Sequence, residues 1–231
     1  MSKVFHSMVA FLISMTPILT FSPNIARGES VEAIAKNVQK AYDETRDIRA
    51  DFTQETKIQG FETTTRAAGT LFIKKPGKAR WDYASPSEQH VYVNGETVLI
   101  YTPELKQALK SRLQSELDTQ TPIFLLAGAG RLTELFSVAA NPNVRDGDPP
   151  SLVLKPKDGR GPKRIVITLD PARYLITKVR LEDPNGNIST LAFSDIRQNT
   201  GLGDRFFTFI PPKGVEIVEP FPAARPGNTK P

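Results

Sequence analysis

The chain has 231 residues, 39% of them apolar and 24% charged, which is ordinary globular composition and enough for one generous domain. Cysteine is absent, which excludes disulfides, thiol chemistry and the acylated cysteine of a bacterial lipoprotein. The formal charge is +5, but residues 1–28 hold Lys3 and Arg27, and without them 28 basic residues face 25 acidic ones, too small an excess to call for a polyanionic partner.

Lys3, an apolar run from Met8 to Phe21 and the small residues Ala26 and Gly28 have the form of a secretory signal cleaved after residue 28. The run is interrupted by Pro17 and is short for a membrane span, which needs about twenty residues, so an uncleaved anchor is the weaker alternative. The expected mature domain covers residues 29–218, and the Pro-rich segment 219–231 is expected to be a flexible tail.

Between Ser30 and Arg46, Val31, Ile34, Ala35, Val38, Ala41 and Tyr42 recur at helical spacing, with Ser30 as N-cap and Glu32 in the first turn. From Ile48 onward, short Val-, Ile-, Thr-, Phe- and Tyr-rich runs alternate with Pro76-Gly77, Asn94-Gly95, Asp158-Gly159 and Asn185-Gly186 turns. Strands are predicted at 48–58, 67–75, 78–84, 89–94, 97–102, 105–110, 151–156, 163–170, 173–182, 187–198 and 215–218. So many close strands imply a strongly curved antiparallel sheet or barrel.

The segment TQTPIFLLAGAG at 119–130 breaks the pattern: with Thr121 as N-cap, a helix is predicted from Pro122 through Ile123, Phe124, Leu125 and Leu126, stopping at Gly128 and Gly130. Four large apolar residues in succession leave it no polar side. It is either a core plug or a lid over an apolar cavity.

Residues 69–83, GTLFIKKPGKARWDY, mix basic and aromatic side chains as a nucleic-acid platform would. Alternation separates them. Leu71, Ile73 and Lys75 share one face of the first strand, Trp81 and Tyr83 share a face of the second, and Arg80 points the other way. Lys75-Pro76-Gly77-Lys78 fits a type II turn between the strands. No nucleic-acid role is therefore expected.

His90, the one histidine after residue 28, could serve a hydrolase, but no nucleophile elbow accompanies any serine. With no cysteine and one histidine, a zinc site is not expected either. Neither GAG at 128–130 nor KDGRGPKR at 157–164 matches a nucleotide-binding loop.

An ordered series resembles the LolA family of periplasmic lipoprotein carriers: the N-terminal helix, ADFTQ at 50–54, GTLFIKKPGKARWDY, VNGETVLIYTPELKQ at 93–107, TPIFLLAG at 121–128 and FTFIPPKGVEI at 207–217. The resemblance implies an α+β fold: an incomplete antiparallel β-barrel covered by a helical lid over a hydrophobic cavity. It also implies no catalysis and no cofactor. Leu71, Ile73, Trp81, Tyr83, Leu99 and Tyr101 are expected to line the cavity, with Ile34, Val38, Phe124, Leu125 and Leu126 on the lid. The family usually has arginine where this chain has Lys75, and that residue bonds lid carbonyls to hold the empty cavity shut. Lysine keeps the charge but lacks the planar fork.

The implied function is a periplasmic chaperone, expected to be a monomer. It accepts acylated lipoproteins from an inner-membrane ABC-type release complex and passes them to an outer-membrane lipoprotein receptor. A carrier of another amphiphile, a glycolipid or fatty acyl chain on the same fold, is the alternative.

Overall fold

The computed structural model describes residues 29–112 and 131–219. The expected signal segment, the apolar helix predicted at 121–128 and the expected tail beyond Glu219 lie outside the described residues.

Helix α1 (Val31–Asp43) begins where Ser30 accepts a hydrogen bond from the Ala33 N–H at 3.2 Å, and it buries Ala35, Val38 and Tyr42 along one stripe. It ends three residues before the sequence suggests. The Thr45 hydroxyl bonds back to the Ala41 carbonyl at 2.6 Å and the Arg46 N–H is taken by Asn199 Oδ1 at 2.7 Å, so the chain leaves the helix to start pairing at Asp47.

Among the described residues twelve strands follow in one sheet: β1 (Asp47–Lys57), β2 (Thr64–Lys74), β3 (Lys78–Ser85), β4 (Gln89–Asn94), β5 (Thr97–Thr102), β6 (Gln107–Arg112), β7 (Phe136–Ala140), β8 (Ser151–Pro156), β9 (Arg164–Leu169), β10 (Ile176–Glu182), β11 (Ile188–Gln198) and β12 (Glu216–Val218). A one-turn helix α2 (Leu132–Leu135) leads into β7. The order across the sheet is β12-β6-β5-β4-β3-β2-β1-β11-β10-β9-β8-β7. Among the described residues no pairing joins β12 to β7, so the sheet is open.

All neighbours are antiparallel except β12 and β6, which run parallel, a departure from the all-antiparallel expectation. Two further details differ. The Lys75–Pro76 bond is cis, in place of the expected type II turn. β10 starts at Ile176 and not at 173, because Asp170 Oδ1 accepts the N–H groups of Ala172 and Arg173, both at 2.9 Å, and holds them in a turn.

Period-2 alternation turns one face of the sheet inward. Across β2–β5 the rows Ile73, Ala79, Val93, Val98 and Leu71, Trp81, Val91, Ile100 lie side by side. On the other half, Leu152, Leu154, Ile165, Ile167 and Val179 are fully buried. Both halves and the α1 stripe form one apolar cluster. Each large side chain there contributes about 1.5–3 kcal/mol of burial free energy, which holds the sheet and α1 together.

Candidate functional site

The inner face grades from apolar to polar along the strands. Next to the β2–β3 turn stand Ile73 and Ala79, then Leu71 and Trp81, then Tyr83 beside Phe52 of β1, and beyond them Gln54 and Ser85. Leu71, Ile73 and Trp81 are between 1% and 3% exposed. The Trp81 ring meets Phe52 edge-on at 4.8 Å, Tyr83 at 6.3 Å and Phe193 of β11 at 6.5 Å.

Tyr83 is partly buried, and burial pushes its phenol up to about 12. Its hydroxyl donates to Gln54 Oε1 at 3.1 Å. Past it opens a cleft of about 300 Å³ lined by Gln54, Thr56, Tyr83, Ser85 and Gln89. The Trp81 Nε1–H has no hydrogen-bond partner among the described residues. An unpaired buried donor costs about 1–3 kcal/mol, a cost that a purely structural core avoids by using phenylalanine.

Leu99 and Tyr101 stand on the other face of the sheet. The β4–β5 hairpin pairs Asn94 with Thr97, so Val98 faces Val93 and Ile100 faces Val91 on the inner side. Counting from that two-residue loop assigns the inner positions to Val98 and Ile100, one residue out of phase with the expected pair. On the outer side Tyr101 packs against Phe209 at 5.0 Å and Tyr92 against the same ring at 5.5 Å.

The basic residues of the β2–β3 hairpin are engaged within the molecule. Lys74 and Lys78 reach Asp204 at 2.7 and 3.0 Å and together hold its carboxyl below the usual carboxylate range. Arg80 bonds Asp82 at 2.9 Å and lies over the rings of Tyr92 and Phe206, at 4.9 and 4.4 Å. His90, on the same outer face, meets Asp82 at 2.6 Å and Glu88 at 3.0 Å and stacks on Tyr101. Among the described residues no cluster of three or more acidic or histidine side chains is placed to hold a metal ion.

Lys75 turns from the hairpin to α1. Its ammonium donates to the Tyr42 carbonyl in the last turn of the helix, and its backbone N–H donates to the Arg46 carbonyl at 2.9 Å. Desolvation lowers the pKa of this half-buried lysine, with the Asp43 carboxylate acting in the opposite sense. Val38 is buried in the cluster and Ile34 packs on it from the partly buried side. Phe124, Leu125 and Leu126 lie outside the described residues.

α1 is tied down by polar contacts near both ends. Tyr174 donates to Glu29 at 2.8 Å and the Leu132 N–H donates to Gln39 at 2.9 Å, while Gln198 donates to the Thr45 hydroxyl at 2.6 Å. The hydroxyl of Tyr42, buried and raised in pKa by desolvation, accepts the Ile176 N–H at 3.2 Å.

Among the described residues, an open, largely antiparallel sheet with one long helix in its apolar cluster defines the class of protein. The family model of the outer membrane lipoprotein carrier protein LolA matches residues 43–210. An outer-membrane lipoprotein carrier protein from Chromobacterium violaceum is 32% identical over 205 residues, covering 87% of this chain and 96% of its own. One from Methylococcus capsulatus is 29% identical over 177 residues, covering 77% and 83%. Among solved structures, an uncharacterized conserved protein from Thermus thermophilus superposes with a TM-score of 0.53 at 14% identity, covering 83% of this chain and 100% of that one, and speaks to the fold alone. The chain belongs to the LolA family.

Proposed function

We propose that this chain is a non-enzymatic periplasmic carrier that takes the acyl chains of lipoproteins released from the inner membrane and delivers them to an outer-membrane receptor. Family membership over residues 43–210, a span that includes the whole apolar face of the sheet, is the observation that carries the reading. Residues 1–28 act as its export signal, the domain runs from 29 to 218, and 219–231 form its tail.

Solvation explains the architecture. At about 0.8 kcal/mol per methylene, a sixteen-carbon chain resists transfer to water by roughly 12 kcal/mol, and three chains by roughly three times that. A carrier must match that with an apolar surface and hide the surface when empty. The face of Leu71, Ile73, Trp81 and Tyr83 provides the surface, with Ile34 and Val38 on α1 concealing it. The lid role of Phe124, Leu125 and Leu126 belongs to the same proposal. That Ala35, Val38 and Tyr42 of α1 belong to the same apolar cluster as Leu71, Ile73 and Trp81 supports this reading.

Lys75 acts as the latch. A charged donor on a helix-terminal carbonyl favours the closed arrangement, and lysine supplies one point of contact where arginine supplies a fork. The reading is tested by producing the protein with a triacylated lipoprotein in a strain that exports both. A complex recovered from the water-soluble fraction supports it, and lipoprotein left wholly in the membranes overturns it.

A further inference from the structure

Trp81 is the chain's single tryptophan. It lies in the apolar row with Leu71, Val91 and Ile100, one step along the strand from Tyr83, where the cleft lined by Gln54, Ser85 and Gln89 begins. Its ring is 3% exposed and its Nε1–H is unpartnered among the described residues. The neighbours Phe52 and Phe193 offer only hydrocarbon, and the Tyr83 hydroxyl is committed to Gln54.

We infer that the Trp81 indole N–H is the hydrogen-bond donor for an acyl ester carbonyl, fixing the depth at which a bound chain's head group stops on the apolar face. The inference rests on the lipid-carrier reading and adds to it the polar contact that the ligand makes. An indole is donor-only and an ester is acceptor-only, so the two are complementary. A buried water is a poor occupant, because it needs two to four polar partners and the neighbouring rings of Phe52 and Phe193 supply none. The position suits the ester as well, since hydrocarbon running towards Ile73 and Ala79 leaves the carbonyl at Trp81, one step along the strand from Tyr83, where the face begins to turn polar.

Among the described residues the other unpartnered buried nitrogen, Arg164 Nε, belongs to a half-buried guanidinium with four further N–H donors, so it has no comparable need.

The test uses the mature protein labelled with nitrogen-15, whose one indole gives one N–H signal. Methyl palmitate and hexadecane are each delivered from cyclodextrin, and their binding is followed by displacement of a fluorescent alkyl probe. Methyl palmitate is expected to move the indole proton downfield and hexadecane to bind without that shift. Trp81→Phe is expected to weaken methyl palmitate by about five- to tenfold and hexadecane by less than about twofold. If both ligands displace the probe and leave the indole signal in the same place, the carbonyl contact is wrong while the carrier reading stands. If neither displaces the probe, the two fall together. The wild-type titration decides the matter even where Trp81→Phe folds poorly.

Discussion

At the residue scale, Asp47 and Lys75 hold the junction between helix and sheet. Burial works against the Asp47 carboxylate, but bonds from the Thr200 hydroxyl at 2.7 Å, the Thr200 N–H at 2.6 Å and the Gly201 N–H at 3.0 Å outweigh it and lower its pKa. A carboxyl with a depressed folded pKa adds stability above its unfolded value near 4, and that stability is lost as the pH falls through the folded value. Asp47→Asn should therefore cost about 1–3 kcal/mol at pH 7 and less at pH 3, read by urea unfolding at both. An equal loss at the two pH values would contradict the assignment. Lys75→Leu removes the charged donor from the Tyr42 carbonyl, a contact of about 1.5–3 kcal/mol, and so, under the proposed latch role, disfavours the closed, empty form. The expected result is unchanged stoichiometry for bound lipid, affinity raised about tenfold and slower delivery to a receptor. Equal losses in capacity and delivery would remove the latch role.

At the element scale, the β2–β3 hairpin shows a tight constraint. A Cβ at Gly69 would lie 2.0 Å from the Asp82 carbonyl oxygen, at the point where the β2–β3 register slips between Ala68 and Gly69. Gly69→Ala has no flexible neighbour to displace, so a loss of more than about 2 kcal/mol is expected by thermal unfolding, against a neutral control at exposed Lys36→Ala. This hairpin is also the most readable part of the sequence. Alternation alone places Leu71, Ile73, Trp81 and Tyr83 on one face and Arg80 on the other, because register on a half-buried sheet is set by side-chain period. Leu99 and Tyr101 resist the same reading because "TVLIY" is apolar on both faces: its outer side packs against Phe209, a ring contributed from over a hundred residues away that no local pattern reveals. Strand β7, "FSVAA", is hidden for a related reason. It is short and mostly exposed, and its pairing with β8 across a long connection stabilises it more than its own propensity does. What holds the Lys75 ammonium, a main-chain carbonyl of α1, is legible only through the family resemblance.

At the scale of the whole molecule, the two halves of the sheet differ in how they fill the interior. On the β8–β10 side Leu154, Ile165 and Val179 are completely buried, so Leu154→Ala should cost about 2–5 kcal/mol in chemical denaturation while leaving lipid stoichiometry intact in the folded fraction. On the β2–β4 side the interior combines aromatic rings, an indole donor unpaired among the described residues and a polar cleft beyond Tyr83, features that a solid core does not need. Under the proposed carrier role, the difference is that between a rigid wall and a lipid-binding face. The most direct measurement of that account is the composition of the purified mature protein after co-expression with a triacylated lipoprotein. The account predicts a one-to-one complex that elutes as a water-soluble species and protects the acyl chains. Protein that elutes free of lipoprotein, with the lipoprotein remaining entirely in the membrane fraction, would contradict it.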